Sequence, residues 1–158
     1  QVLHGDAQSE DLFQSISAVP SVVITSPPYY GMRTYVQDQW LRNWFLGGAD
    51  SIDYSAGPQL DHGGQQVFAA SLGKVWKNIA NSADSSESLH MYVRFGIIPS
   101  AQVDAKKLFR ASLEASGVDW RLVSTRSAKS ADVGKRQADQ MKTESAAAVE
   151  FDFHVERA

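Results

Sequence analysis

The segment that most constrains the fold is a run of four residues, Val22–Thr25, followed directly by Ser26-Pro27-Pro28. All four residues of the run are β-branched and they do not alternate with polar residues. This pattern is typical of a strand buried on both faces of a parallel sheet. The strand has to end at the prolines, because a proline lacks a backbone N–H and restricts the residue before it. The chain therefore places a stiff turn at the carboxyl end of a buried strand.

Hydrophobic spacing and turn residues predict further helices and strands on both sides of this segment. The predicted helices span residues 9–18, 67–80 and 103–116, and the predicted strands span residues 2–6, 22–25, 89–98, 120–125 and 147–155. Strands that alternate with helices favour right-handed crossovers and a mainly parallel sheet covered on both faces. The last two strands follow one another without a clear helix, so we expect a C-terminal antiparallel hairpin. The sequence thus predicts a single α/β domain over residues 1–158.

Composition narrows the class of protein. The chain has 158 residues, of which 43% are hydrophobic and 21% charged, values that are ordinary for one globular domain. It contains no cysteine, which excludes disulfides, thiolate zinc sites and cysteine nucleophiles. No apolar run approaches the length of about 18 residues that spans a membrane, so we expect no membrane partner. Residues 1–70 carry seven acidic and two basic side chains, so charge alone gives no support for binding to nucleic acid.

Residues 31–66 are rich in aromatic and glycine residues and have little regular periodicity, so we expect a long loop region that is functional or mobile. The four histidines are scattered and none is paired at i, i+4 spacing, so no metal site is predicted. Ser26 is a weak candidate for a hydrolase nucleophile, because a proline follows it and no Gly-x-Ser-x-Gly motif surrounds it.

The segment from Thr25 to Tyr30, Thr-Ser-Pro-Pro-Tyr-Tyr, carries the most chemical information. It follows a predicted buried strand, where open α/β sheets place their sites. A proline carbonyl and the Ser26 hydroxyl can act as fixed acceptors, and Tyr29 offers a flat apolar ring with a polar tip. Such a turn can hold a planar amine by two hydrogen bonds while the ring stacks on it. From spacing alone, a Pro-Pro loop with a core tyrosine is an equally good interpretation.

Residues 22–35, VVITSPPYYGMRTY, closely resemble motif IV of the S-adenosylmethionine-dependent DNA amino-methyltransferases, which modify the exocyclic amine of cytosine or adenine. That motif consists of Asp, Asn or Ser, then two prolines, then an aromatic residue, and the version with Ser resembles the cytosine group. The Gly5-Asp6 pair resembles the Gly-Asp that precedes this motif by about one helix. The helix at 68–76 and the strand at 89–95 resemble the next elements of the family. The resemblance implies a Rossmann-like class I methyltransferase sheet, with this chain as its later half.

The resemblance also implies roles for individual residues. The target base would be flipped out of a DNA duplex into a pocket. There the Ser26 hydroxyl and the Pro27 carbonyl would accept hydrogen bonds from its amine, and Tyr29 would stack on it. The implied assignments are Ser26, Pro27, Pro28 and Tyr29 as catalytic residues, Asp6 and Thr25 on the side of the cofactor, and Tyr30 and Arg33 on the side of the substrate. For Arg33, an ordinary surface arginine is an equally good interpretation.

One part of the family pattern is missing, namely a glycine-rich motif of the form Phe-x-Gly-x-Gly that holds S-adenosylmethionine. The nearest string, Phe45-Leu46-Gly47-Gly48, follows aromatic residues rather than a buried strand, and a lone Gly-Gly usually marks a turn. We therefore expect the cofactor segment upstream of Gln1 or on a second chain. Two functions stay open. The first is DNA methylation of the restriction-modification kind in a prokaryotic or phage-like cytoplasm. The second is a non-catalytic module or split-enzyme subunit that binds nucleic acid or a partner chain.

Overall fold

The computed structural model describes residues 2–31, 40–41, 44–51, 63–98, 101–128 and 149–157. Its helices are α1 (Glu10–Gln14), α2 (Gln65–Ser82) and α3 (Ala105–Ala115), and its strands are β1 (Val22–Thr25), β2 (Leu89–Ile97), β3 (Trp120–Ser127) and β4 (Val149–Arg157). The predicted α/β class is confirmed. Two local predictions are wrong, since residues 2–6 form no strand and the first helix ends at Gln14 rather than at residue 18.

The four strands form one open sheet in the order β1-β2-β4-β3. β1 and β2 are parallel, with Val22 opposite His90, whereas β4 is antiparallel to both β2 and β3. The predicted antiparallel pairing of the last two strands is therefore confirmed. The expectation of a mainly parallel sheet needs correction. Three strands run in one direction, but the reversed β4 lies between β2 and β3, and so one of the three pairings is parallel and two are antiparallel.

Helices α2 and α3 lie side by side on one face of this sheet and enclose the core. Alternate residues of β2 point towards them, because successive side chains of a strand face opposite sides. The largest fully buried side chains of the core are Trp76, Phe68, Phe95, Phe109, Phe153, Leu72, Leu89, Met91, Val93 and Val155. Gly73 brings the two helices together, since a Cβ there would lie 2.9 Å from the carbonyl carbon of Ala115.

The other face of the sheet bears the intervening residues and is exposed along β1 and β2. Val22 is 53% exposed, Ile24 82% and Tyr92 45%. The prediction that β1 is buried on both faces is therefore wrong among the described residues, where β1 is also an edge strand. We call this exposed side of the sheet the open face.

Side-chain hydrogen bonds hold the ends of the two long helices. The Asp104 carboxylate accepts from the backbone N–H groups of Lys106 and Lys107 at the start of α3, and these bonds lower the pKa of Asp104. Beyond the C-terminal end of α3, Gly117 has a φ of 68°, which favours glycine. The Arg157 guanidinium, at the end of β4, donates to the carbonyls of three residues at the end of α2 and in the loop after it: Ala80, Asp84 and Glu87. None of the described helices has the length and apolar character needed to cross a bilayer.

Candidate functional site

The predicted motif lies at the carboxyl end of β1, as expected. Thr25 is the last residue of the strand, Ser26 and Pro28 are exposed, and Pro27 is buried. After the prolines the chain rejoins the sheet, because the Tyr30 N–H donates to the Gly96 carbonyl and Tyr30 forms a parallel bridge with Ile97. The turn is thus anchored by β1 on one side and by this bridge on the other. Anchoring at both ends fixes the backbone path of the turn and with it the direction of its carbonyl groups.

The two tyrosines of the motif lie on opposite faces of the sheet. Tyr30 meets the ring of Phe68 edge to face, with centroids 5.1 Å apart, and is half-buried on the helix side. Tyr29 lies on the open face instead, with its ring against Gly96 of β2. A Cβ built on Gly96 would be 3.1 Å from Cε2 of Tyr29. The core-tyrosine interpretation therefore describes Tyr30, whereas Tyr29 lies on the opposite side of the sheet, on the open face.

A cross-strand ion pair lies on the open face, two residues from Gly96 along β2. Nε of Arg94 is 2.8 Å from Oδ1 of Asp152, and Nη2 is 3.0 Å from Oδ2, so the guanidinium binds the carboxylate with two parallel hydrogen bonds. The hydrogen bond from Arg94 holds the pKa of Asp152 below its usual range. The same bond raises the pKa of Arg94, to which the charges of Glu150 and Tyr29 also contribute. Both partners of the pair are about half exposed.

Between this ion pair and the end of β1 the open face contains a depression of about 590 Å³. Its walls include Ile24, Thr25, Ser26, Tyr92, Arg94 and Asp152. The Tyr92 ring stacks on that of His154 at 4.3 Å, and Nδ1 of His90 lies 3.2 Å from Nε2 of His154. Hydroxyl and charged groups therefore border an apolar and aromatic floor, a combination that suits a small aromatic ligand with polar edges.

Asp6 does not join this group. Its carboxylate accepts from the Gln8 N–H at 2.9 Å, and the neighbouring Ala7 carbonyl accepts from Asn78 of α2. Tyr30 contacts α2 at Phe68, ten residues earlier, which corresponds to about 15 Å along the helix axis. Asp6 and the motif at the end of β1 are therefore well separated along α2.

The structure places Thr25 at the depression and the Phe45-Leu46-Gly47-Gly48 string in a turn, and it does not describe Arg33. Thr25 lies next to Ser26 on the wall of the depression. In the string Phe45-Leu46-Gly47-Gly48, the Gly47 N–H donates to the Trp44 carbonyl at 2.9 Å, and Gly47 has a φ of 86°, which describes a turn. Arg33 and most of the loop region 31–66 lie outside the described residues.

Sequence reasoning missed Gly96, the Arg94–Asp152 pair and the aromatic stack of Tyr92 on His154. The alternation within β2 does place residues 90, 92, 94 and 96 on one face. The identity of their cross-strand partners depends on the register with β4, which carries no local signal. In the described part of the chain, no group of three or more acidic or histidine side chains could hold a metal ion. No protein-family model, curated protein or solved structure matches the chain.

Proposed function

We propose that this chain carries the base-binding part of an S-adenosylmethionine-dependent DNA amino-methyltransferase, with cytosine favoured over adenine. The observation that carries the proposal is the Ser26-Pro27-Pro28-Tyr29 turn at the carboxyl end of β1. There a buried proline anchors the turn while the serine is exposed and the Tyr29 ring lies on the open face.

The sheet supports the proposal at the level of topology. Parallel strands β1 and β2 are joined through α2, and the chain then closes with an antiparallel pair whose last strand lies inside the sheet. This order is compatible with the later half of a Rossmann-like methyltransferase sheet. Ligands of such sheets bind beyond the carboxyl ends of the parallel strands, and the Pro-Pro turn occupies that position on β1.

The chemistry requires few groups. The Ser26 hydroxyl and the Pro27 carbonyl would accept hydrogen bonds from the two N–H groups of the exocyclic amine and direct its lone pair towards the methyl donor. Tyr29 would stack on the base and keep it out of the duplex. No strong base is needed, because the amine loses its proton after the new N–C bond has begun to form. Holding the amine in line with the methyl group would supply most of the acceleration.

The described residues do not by themselves form a site for S-adenosylmethionine. Thr25 borders the depression, but the Asp6 carboxylate is bonded to its own loop and lies far along α2 from the motif. Asp6 therefore has no part in the proposed chemistry. A test of the proposal has to measure base binding separately from methyl transfer.

The test is a titration of the full chain with two fluorescent duplexes, one fully paired and one with a cytosine opposite an abasic position. We expect tighter binding to the unpaired cytosine, because its unstacking is already complete. Tyr29→Ala should weaken that binding about 5- to 150-fold, the effect of one lost base–aromatic stack. Ser26→Ala should weaken it less, because Tyr29 still stacks on the base in that variant.

Ser85→Ala is the matched control, because Ser85 is an exposed serine in the loop before β2, at the opposite end of that strand. It should bind both duplexes as the unaltered chain does. Equal affinity for the paired and unpaired duplexes, with no loss in Tyr29→Ala, would contradict the assigned role.

A non-catalytic module that binds a partner chain is the second candidate function. The observation that favours it is the exposure of Val22 and Ile24 on the open face, since a partner would remove this apolar surface from water. The duplex titration separates the two functions. A preference for the unpaired cytosine that is lost in Tyr29→Ala would support the base-binding part of an enzyme. Equal affinity for both duplexes would support the module that binds a partner chain.

A further inference from the structure

The ring of Tyr29 lies on a position of β2 that only glycine can occupy without displacement. A Cβ on Gly96 would lie 3.1 Å from Cε2 of Tyr29, 3.1 Å from Cγ of Glu150 and 3.1 Å from the carbonyl oxygen of Val149. Because one of these atoms belongs to the backbone of β4, a methyl group cannot move away from the ring by shifting towards that strand. Added volume at Gly96 therefore requires a shift of a few tenths of an ångström, and the two side chains that can take it up are Tyr29 and Glu150.

The Arg94–Asp152 ion pair lies next to Gly96 on the same face of the sheet. Arg94 precedes Gly96 by two residues on β2, so both positions face the same side of the sheet, about 7 Å apart. The two hydrogen bonds to Asp152 hold the guanidinium plane in place. Glu150 lies directly opposite Gly96 on β4, next to Asp152, which lies opposite Arg94.

We propose that Gly96 and the Arg94–Asp152 ion pair position the Tyr29 ring against the open face of the sheet, in the orientation that the proposed stacking on a base requires. We call this arrangement the Tyr29 seat. The benefit of the Tyr29 seat to base binding rests on the proposed function. Its effect on the position of the ring needs no ligand. Gly96 and Arg94 act through Tyr29 and are positioning residues.

The first experiment reads the ring directly. The full chain is labelled with 3-fluorotyrosine, and the fluorine NMR signals of Tyr29 and Tyr92 are assigned from Tyr29→Phe and Tyr92→Phe. Gly96→Ala should shift or broaden the Tyr29 signal in the absence of DNA, while the Tyr92 signal keeps its position. Unchanged signals for both tyrosines in Gly96→Ala would overturn the proposal.

Arg94→Lys tests the same seat at an exposed position, where the fold does not depend on the side chain. A lysine cannot form the two-pronged bond to Asp152, so the Tyr29 signal should shift in this variant as well. The matched control is Arg121→Lys, because Arg121 pairs with Glu156 on the same face of the sheet, at the other end of β4. Equal effects of the Arg94 and Arg121 replacements on the Tyr29 signal would overturn the role of the ion pair.

The second experiment measures binding to the duplex with the unpaired cytosine. Gly96→Ala should weaken binding about fivefold or more, and should have no further effect once Tyr29→Ala is present. Equal losses in both backgrounds would mean that Gly96 acts on the fold alone and would overturn the positioning role. If the unaltered chain does not prefer the unpaired base, the proposed function fails, and the fluorine signals still decide whether the seat exists.

Discussion

A buried hydrogen bond between α2 and α3 leads to a quantitative prediction about stability. Nε1 of Trp76 donates to the Ser112 hydroxyl at 2.9 Å, and that hydroxyl donates to the Phe109 carbonyl at 2.6 Å. Both Trp76 and Ser112 are 0% exposed. Replacing Ser112 with alanine leaves the indole N–H buried without its partner, in a place that water does not reach.

Two opposing contributions determine the change in the free energy of unfolding. An unsatisfied buried donor destabilises the protein by about 1–3 kcal/mol. Alanine stabilises the helix by about 0.5 kcal/mol relative to serine, because it is the better helix former. We expect Ser112→Ala to lower the free energy of unfolding by about 0.5–2.5 kcal/mol. For a chain of this size, that corresponds to a melting temperature lower by about 1–10 °C. Urea denaturation followed by circular dichroism measures the loss, and the m-value should not change.

A double-mutant cycle shows whether the loss comes from the indole. In a Trp76→Phe background there is no N–H to leave unsatisfied, so Ser112→Ala should cost less than about 0.5 kcal/mol there. Ser82→Ala is the control, since its hydroxyl also donates to the carbonyl three residues earlier but has no tryptophan partner. The same loss from Ser112→Ala in both backgrounds would refute the reasoning.

Three further predictions concern other contacts of the fold. Gly73→Ala should destabilise the protein by up to about 2 kcal/mol in urea denaturation. Overpacking against the Ala115 backbone costs about 1–3 kcal/mol, which exceeds the gain in helix propensity of about 1 kcal/mol. A more stable variant would contradict the observed approach of the helices. Arg157→Met should lower the free energy of unfolding by about 1–3 kcal/mol and speed amide hydrogen exchange in the loop after α2. The reason is that three backbone carbonyls lose a charged donor. Unchanged exchange would show that the guanidinium does not hold this loop. Because the hydrogen bond from Arg94 lowers the pKa of Asp152, the stabilisation from this pair is complete above the ordinary aspartate pKa of about 4 and is lost as the pH falls through the lowered value. Melting temperatures from pH 2 to 7 should therefore fall less steeply with acid in Asp152→Asn than in the unaltered chain, and parallel curves would contradict the assignment.

The positions of the main elements could be predicted from the sequence, because each has a strong local signal. The β-branched run at Val22–Thr25 forms a strand, and the apolar spacing of residues 67–80 forms the central part of α2. The environment of β1 could not be predicted in this way. A β-branched run indicates a strand, but its burial depends on which helices cover which face, and α2 and α3 lie on the same side of the sheet.

The candidate site also has a part that could be predicted from the sequence and a part that could not. The turn from Ser26 to Tyr29 could be located from sequence, because two prolines after a strand are a local signal. The surroundings of this turn could not be predicted. In the sequence Gly96 looks like an ordinary strand glycine, and Asp152 belongs to a strand more than fifty residues after Arg94. Only the register between β2 and β4 brings this carboxylate to Arg94.

The position of β4 between β2 and β3 has a consequence for the order of folding. During synthesis β3 leaves the ribosome before β4, yet among the strands of the described residues it pairs only with β4. The helical hairpin of α2 and α3 can collapse onto β1 and β2 first, while β3 has to wait for the strand that follows it. Entry of β4 then completes the sheet and delivers Asp152 to Arg94 in the same step. The bond between Arg94 and Asp152 therefore cannot form before the last strand has been synthesised.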